Sequence, residues 1–213
     1  MNRIEGKSCI GIVLLFTLIP FVSGCGFRSA PTLLPPDSPK SAVSLSTFQA
    51  GLMKNLHEQV TRRIRYRDGY YKGGEPPAEV GVCTDVVSRA FRAVKVDLKK
   101  RVDKDIAAHP ERYHMKAPDP NIDYRRCRNL IVFFRLHTQE LTTKPSPSEY
   151  LPGDVVFWST HNDSKPDHVG MVGDAVDQTG VPAIVQHWPG QFVEQTTGLF
   201  NWKIMGHFRW KSV

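Results

Sequence analysis

The hydrophobic period of this chain changes once, near Tyr150. Before that point apolar residues recur at helical spacing. Phe48, Leu52, Leu56, Val60 and Ile64 form one stripe, and Val86, Val87, Ala90, Phe91 and Val94 form another within residues 84–95. Leu98, Val102 and Ile106 make a third stripe, and Leu130, Phe133 and Phe134 a fourth. After that point the apolar runs are short and bounded by turn residues, as strands are. They are Val155-Val156-Phe157-Trp158, His168-Val169-Gly170-Met171-Val172, Ala183-Ile184-Val185-Gln186-His187-Trp188 and Ile204-Met205-Gly206-His207-Phe208. Helices first and an antiparallel sheet afterwards is the α+β order, with the helices packed on the sheet. Thr47 is placed to cap the first helix and Asp123 the fourth. Residues 138–148, with Pro145 and Pro147, read as loop.

A hydrophobic content of 40% and a charged content of 23% allow a core without disulfide staples. The formal charge is +7, and residues 1–24 carry only Arg3, Glu5 and Lys7, so +6 stays with the rest. The basic runs, Lys99-Lys100-Arg101 and Arg125-Arg126, are short and flank helical patterns. They read as solvated helix faces, and no nucleic-acid partner is expected.

The N-terminus is more specific. Arg3 and Lys7 precede an apolar run from Ile10 to Val22, which is short for a membrane span and flanked like a secretory signal. Val22-Ser23-Gly24-Cys25 resembles the box at which bacterial signals are cut and the next cysteine is lipidated. The resemblance implies a signal peptide over 1–24, acyl chains on Cys25, and a membrane as partner through that anchor. Gly26, with no Asp there, resembles the pattern that sends such lipoproteins to the outer membrane, facing the periplasm. The alternatives are an ordinary cleaved signal or a single-pass anchor. Residues 25–47, rich in Ser, Pro and Ala, read as a flexible tether, and 48–213 as one domain. Of four cysteines, Cys9 and Cys25 belong to these N-terminal events. Cys83 and Cys127 remain, in an oxidising compartment where pairing is an option.

Cys83 follows a turn-rich lead-in, Gly73-Gly74 then Pro76-Pro77, and opens the second helical stripe. A thiol at a helix N-terminus meets the positive end of the macrodipole, which favours the reactive thiolate. Such a nucleophile needs a base and a group to orient that base. Two histidines fall at strand ends beside turns, His168 after Lys165-Pro166-Asp167 and His187 before Pro189-Gly190. A hairpin brings both ends to one sheet edge, with His168 as base and His187 fixing its tautomer. His57, His109, His114, His137 and His161 read as exposed, and His207 as a strand residue without a partner. A metal site built from His168, His187 and Asp167 or Asp174 has no recognised spacing. No metal and no cofactor is expected.

Tyr71, Gly73-Gly74, Gly81-Val82-Cys83-Thr84-Asp85, Leu151-Pro152-Gly153-Asp154-Val155-Val156-Phe157-Trp158 and His168-Val169-Gly170 together resemble the NlpC-type papain-like peptidases of bacterial cell walls. Residues 48–210, with Pro118-Asp119-Pro120-Asn121-Ile122-Asp123, look closer still to a bacterial domain of unknown function within that superfamily. The resemblance implies a papain-like fold and hydrolysis of an amide bond in peptidoglycan. Cys83 would be nucleophile, His168 base, His187 the polar third member, and Tyr71 a neighbour of the cysteine. Two departures bear on the substrate. Val82-Cys83-Thr84-Asp85 stands where Asp-Cys-Ser-Gly is usual, and a helical insertion over about 96–138 would form one wall of the groove. Asp85, Asp119, Asn121 and Asp123 are candidates to bind substrate or support the site, the last three being equally turn and cap residues. The remaining alternatives are a papain-like thiol hydrolase of another peptide or acyl substrate, and a non-catalytic lipoprotein that binds cell wall or a partner protein.

Overall fold

The computed structural model describes residues 33–34 and 44–211. The expected signal peptide, the expected lipidation site Cys25 and most of the 25–47 segment lie outside them. In chain order the elements are β1 (Leu33–Leu34), α1 (Thr47–Thr61), β2 (Arg65–Tyr66), β3 (Val80–Gly81), α2 (Cys83–Ala93), α3 (Leu98–Ala108), α4 (Cys127–His137), β4 (Gln139–Glu140), β5 (Val155–Ser159), β6 (His168–Asp177), β7 (Pro182–Gln186), β8 (Glu194–Thr196) and β9 (Lys203–Arg209). Among the described residues no helix is long and apolar enough to cross a membrane.

The expected α+β architecture is present. Every pairing in the main sheet is antiparallel, in the order β4-β9-β5-β6-β7-β8, with β1 added on β6. The β1 pairing shows that the 25–47 segment is not wholly irregular. Leu33 faces Asp177 and Leu34 faces Val176. Val176 already faces Pro182 of β7, so β1 takes the other edge of β6, beyond the stretch that β5 covers. That edge would otherwise leave strand N–H and C=O groups unpaired.

Both faces of the central strands are covered, which explains why β5 reads as continuously apolar. Val155 and Phe157 pack with Leu52, Leu56, Val86, Val87, Phe91, Phe134 and Phe208 on the helix side. Val156 and Trp158 join Tyr150, Val172, Ile184 and Leu199 on the other. The alternation is the period of the pleat. The helix stripes seen in the sequence are the buried ones: Leu52 and Leu56, then Val86, Val87, Ala90 and Phe91, then Leu98, Val102 and Ile106.

Two caps differ from expectation. Ser46 rather than Thr47 caps α1, accepting from the Gln49 N–H while the Gln49 side chain accepts from the Ser46 N–H. Asp123 does not cap α4. It is the first residue of a 3-10 turn, Asp123–Arg125, and Arg126 precedes the helix. Gln139–Glu140, expected as loop, pairs with Phe208 and Arg209 at the sheet edge.

His207 is fully buried, contrary to its partnerless appearance. Its Nε2 lies 2.9 Å from Asp154 Oδ2 and its Nδ1 2.9 Å from the Thr142 carbonyl, with Tyr150 stacked on the ring at 4.0 Å. Arg209 completes this structural knot on Asp154.

The Gly73-Gly74 lead-in needs its glycines. Both take positive φ, and a Cβ on Gly74 would lie 2.9 Å from the Pro120 carbonyl oxygen. Replacing Gly74 by alanine combines left-handed strain with that clash. We expect a loss of about 1–3 kcal/mol, read as a lower urea midpoint at unchanged slope.

Candidate active site

Cys83 is the first residue of α2, and the local sequence sets its position. Val82 precedes the helix in extended conformation, and its N–H donates to Asp85 Oδ2 at 2.8 Å. A Cβ on Gly81 would meet Asp85 Cβ at 3.0 Å, so a larger residue there would press on the Asp85 side chain. Thr84 Oγ1 donates to the Arg125 carbonyl at 3.2 Å. Arg125 in turn grips Asp85 through Nε and Nη2, at 3.0 Å each on its closest contacts, and donates from Nη1 to the Gly69 carbonyl. Two of the three residues that depart from Asp-Cys-Ser-Gly, Thr84 and Asp85, thus bond the 96–138 insertion to α2 through Arg125.

That insertion delivers a second thiol. Cys127 opens α4 as Cys83 opens α2, and the two sulfurs are 3.9 Å apart, both unoxidised. The pair shares a proton unevenly. Cys127 S–H donating to Cys83 is the largest influence holding the Cys83 thiol well below its ordinary range; burial opposes it, and His168 and the Val169 N–H add to it. The same contact holds the Cys127 proton on. Both side chains border an open groove of about 700 Å³ walled by Tyr66, Asp68, Arg126, Arg128, Lys165 and Asp167.

His168 begins β6 and is buried. Its Nε2 is 3.0 Å from Gln186 Oε1, so that nitrogen carries the ring proton and donates it. Nδ1 is left as the acceptor. Trp188 stacks on the ring at 3.9 Å and 14°, and Trp158 lies tilted at 5.8 Å. The imidazole is therefore held in orientation as well as in tautomer.

His187 does not fill the role that the sequence suggests for it. In the β6–β7 register Met171 faces Val185 and Val172 faces Ile184, so Gln186 and Trp188 share the face of His168. His187 points to the opposite face. There it is fully buried, makes an edge contact with Tyr66 at 5.2 Å, and has no hydrogen-bond partner on either ring nitrogen among the described residues. Burial pushes its pKa down, which keeps it neutral.

Tyr71 packs on Arg125 and is not among the residues that wall the groove. Its ring lies 5.2 Å from the Arg125 guanidinium carbon, while Tyr66 of β2 lines the groove. Burial, together with the nearby Cys83 and Asp68 charges, raises Tyr66 to about 12, so its hydroxyl stays protonated. Tyr66 escapes a sequence reading because β2 is two residues long and paired in parallel with β3, too short for any period. Gln186 escapes because an amide carries no titration signature.

Asp119, Asn121 and Asp123 do not line the groove. Asn121 Oδ1 accepts from the Gly73 N–H, Asp119 Oδ1 accepts from Tyr70 Oη and the Asn121 side chain, and Asp123 accepts from the Asp119 N–H. They fasten the Tyr70–Gly74 lead-in to the insertion, a supporting role rather than a substrate contact. His57, His114, His137 and His161 are exposed as expected, and His109 is half-buried.

Among solved structures the chain is similar to NlpC2 from Trichomonas vaginalis, at a TM-score of 0.46 and 13% identity over 82% of its length; it spans about half, 51%, of that chain. It is 35% identical over 188 residues to the "Uncharacterized protein YijF" of Escherichia coli (strain K12), covering 84% of this chain and 90% of that protein. The pattern of the family described as "Domain of unknown function (DUF1287)" matches residues 53–210. The chain belongs to that family.

Proposed function

We propose that this protein is a cysteine hydrolase of papain-like, NlpC type that cleaves an amide bond in peptidoglycan, anchored through lipid on Cys25 at the periplasmic face of the outer membrane. One observation carries the catalytic part. A thiol at a helix start has its pKa held down first by the neighbouring Cys127 thiol and then by a buried histidine, whose far nitrogen is bonded to Gln186. The order of sequence motifs supports the fold name and the substrate class.

The proposed steps use these residues in turn. The Cys83 thiolate attacks the carbonyl carbon, and the developing oxyanion is stabilised by the Cys83 backbone N–H at the positive end of α2. His168 Nδ1, which takes the Cys83 proton as the thiolate forms, gives that proton to the leaving amine. A water entering from the groove then loses a proton to Nδ1 and attacks the thioester, which frees Cys83. Gln186 accepts from Nε2 throughout, so the ring cannot turn over between the two proton transfers. The test of substrate class is to incubate the full chain with isolated cell wall and identify new amino and carboxyl ends by mass spectrometry. No new ends at any enzyme concentration would overturn it.

Gln186 is a positioning residue in this scheme. Gln186→Ala is expected to lower kcat on the order of 10²-fold with little change in KM, the lower end of what a positioned base contributes. Gln186→His restores an acceptor at the same place and should recover most of the loss. Equal activity in the alanine variant would remove Gln186 from the mechanism.

The 3.9 Å sulfur contact supports a second reading, a non-catalytic lipoprotein in which the thiols pair permanently. Thiol titration of the folded, isolated protein separates the two, because that reading requires that Cys83 never be found free.

A further inference from the structure

Cys127 has no place in the hydrolytic steps, yet it is the residue nearest to the candidate nucleophile's sulfur in hydrogen-bonding terms, and both sulfurs border the same open groove. We propose that Cys83 and Cys127 form a redox-active pair, in which a hydroperoxide converts the two thiols to a reversible disulfide that caps Cys83. Its consequence for hydrolysis rests on the reading of Cys83 as nucleophile; the bond itself does not.

Three features of the geometry point to it. The sulfurs stand 3.9 Å apart and must close by about 1.9 Å to reach disulfide length. Each hangs from the first residue of its helix, where no preceding turn blocks rotation about χ1. The two helix starts are themselves fastened by Thr84 to the Arg125 carbonyl and by Asp85 to the Arg125 side chain, two residues before Cys127. The sulfurs are therefore held opposite one another by a rigid frame.

The chemistry closes without any further reactant. The Cys83 thiolate attacks one oxygen of the hydroperoxide, forming an S–O bond and breaking O–O. The other oxygen leaves as hydroxide or alkoxide and takes a proton, and Cys83 becomes a sulfenic acid. Oxygen on Cys83 removes the negative charge that had kept the Cys127 proton in place. The Cys127 sulfur then attacks the sulfenic sulfur. The S–S bond forms, S–O breaks, and the hydroxide departs with the Cys127 proton as water. Two electrons pass from the thiol pair to the peroxide. A dithiol reverses the bond by exchange. Cys127 would thereby shield Cys83 from the irreversible sulfinic and sulfonic acids.

The test uses the full chain, reduced, freed of reductant and treated with a small excess of hydrogen peroxide, followed by peptide mapping without reduction. We expect a cross-linked peptide containing Cys83 and Cys127, a mass loss of two hydrogens, and full recovery of both thiols with dithiothreitol. In Cys127→Ser, peroxide should instead add oxygen to Cys83, in a form that dithiothreitol does not remove. Over-oxidised Cys83 in the wild type with no cross-link would overturn the proposal, whatever the variant does. A wild type that forms the reversible cross-link but releases no new ends from cell wall keeps the redox pair and removes the hydrolase reading.

Discussion

Replacing Cys83 by alanine is expected to abolish release of new ends from isolated cell wall, by about 10⁴-fold or more, with the far-ultraviolet spectrum and urea midpoint close to wild type. The size follows from the role: without the sulfur there is no acyl intermediate, and the remaining groups can only polarise the substrate. The fold should survive because the alanine keeps the helix start. The Val82 N–H to Asp85 cap and the Asp85–Arg125 pair do not involve the thiol. A fully active Cys83→Ala variant would sink the reading of this groove as a thiol site. A companion measurement is the rate of iodoacetamide labelling against pH. Because the Cys83 thiol is held down chiefly by Cys127, wild-type labelling should persist at pH values where an ordinary thiol is protonated and slow. In Cys127→Ala, which leaves no donor at that position, the profile should move toward higher pH.

The largest loss of stability is expected from Arg125→Met. Asp85 and Arg125 are both 2% exposed in their side chains and meet at 3.0 Å. Burial pushes the Asp85 carboxyl up, against the pull of Arg125 and of the Val82 N–H. Removing the guanidinium leaves a carboxylate buried without its counter-charge, and breaking one partner of such a pair costs about 3–5 kcal/mol. It also frees the Gly69 carbonyl and the hold on Tyr71. Chemical denaturation would show a lower midpoint. The double change Asp85→Asn with Arg125→Met should regain part of the loss, since no buried charge is left unpaired. An unchanged midpoint in the single variant would mean that the pair contributes nothing measurable. Because Arg125 sits between the insertion and the start of α2, we also expect Cys83 labelling in Arg125→Met to lose its depressed pH profile as Cys127 moves away.

Most of the fold was legible because its elements carry strong periods. The stripes of α1, α2, α3 and α4 and the strands β5, β6, β7 and β9 were each visible within a residue or a few at their ends. The short elements were not: β2, β3, β4 and β8 have two or three residues each, too few for a period; β4 and β8 take the edges that β9 and β7 offer, and β2 and β3 pair with each other.

The candidate site divides in the same way. That Cys83 begins a helix follows from residues adjacent to it, and that His168 begins a strand follows from the turn before it. The step from His187 to Gln186 is a shift of one residue, and on a strand one residue is a change of face. Sequence places both at the end of the same run; the register of β6 with β7 selects the amide. Cys127, 44 positions from Cys83, was visible as a possible partner and nothing more, since no local pattern reports which helix starts will meet.

The sequence alone determined what is local: the order of helices and strands, the helix start that carries the thiol, and the turn that releases His168. Periods and turn chemistry act over a few residues and can be read from them. The tertiary structure decided every pairing at a distance: Gln186 on His168, Cys127 beside Cys83, Arg125 on Asp85 and Tyr66 on the groove. Those contacts depend on strand register and on how helices are set against the sheet, which are properties of packing rather than of any one segment.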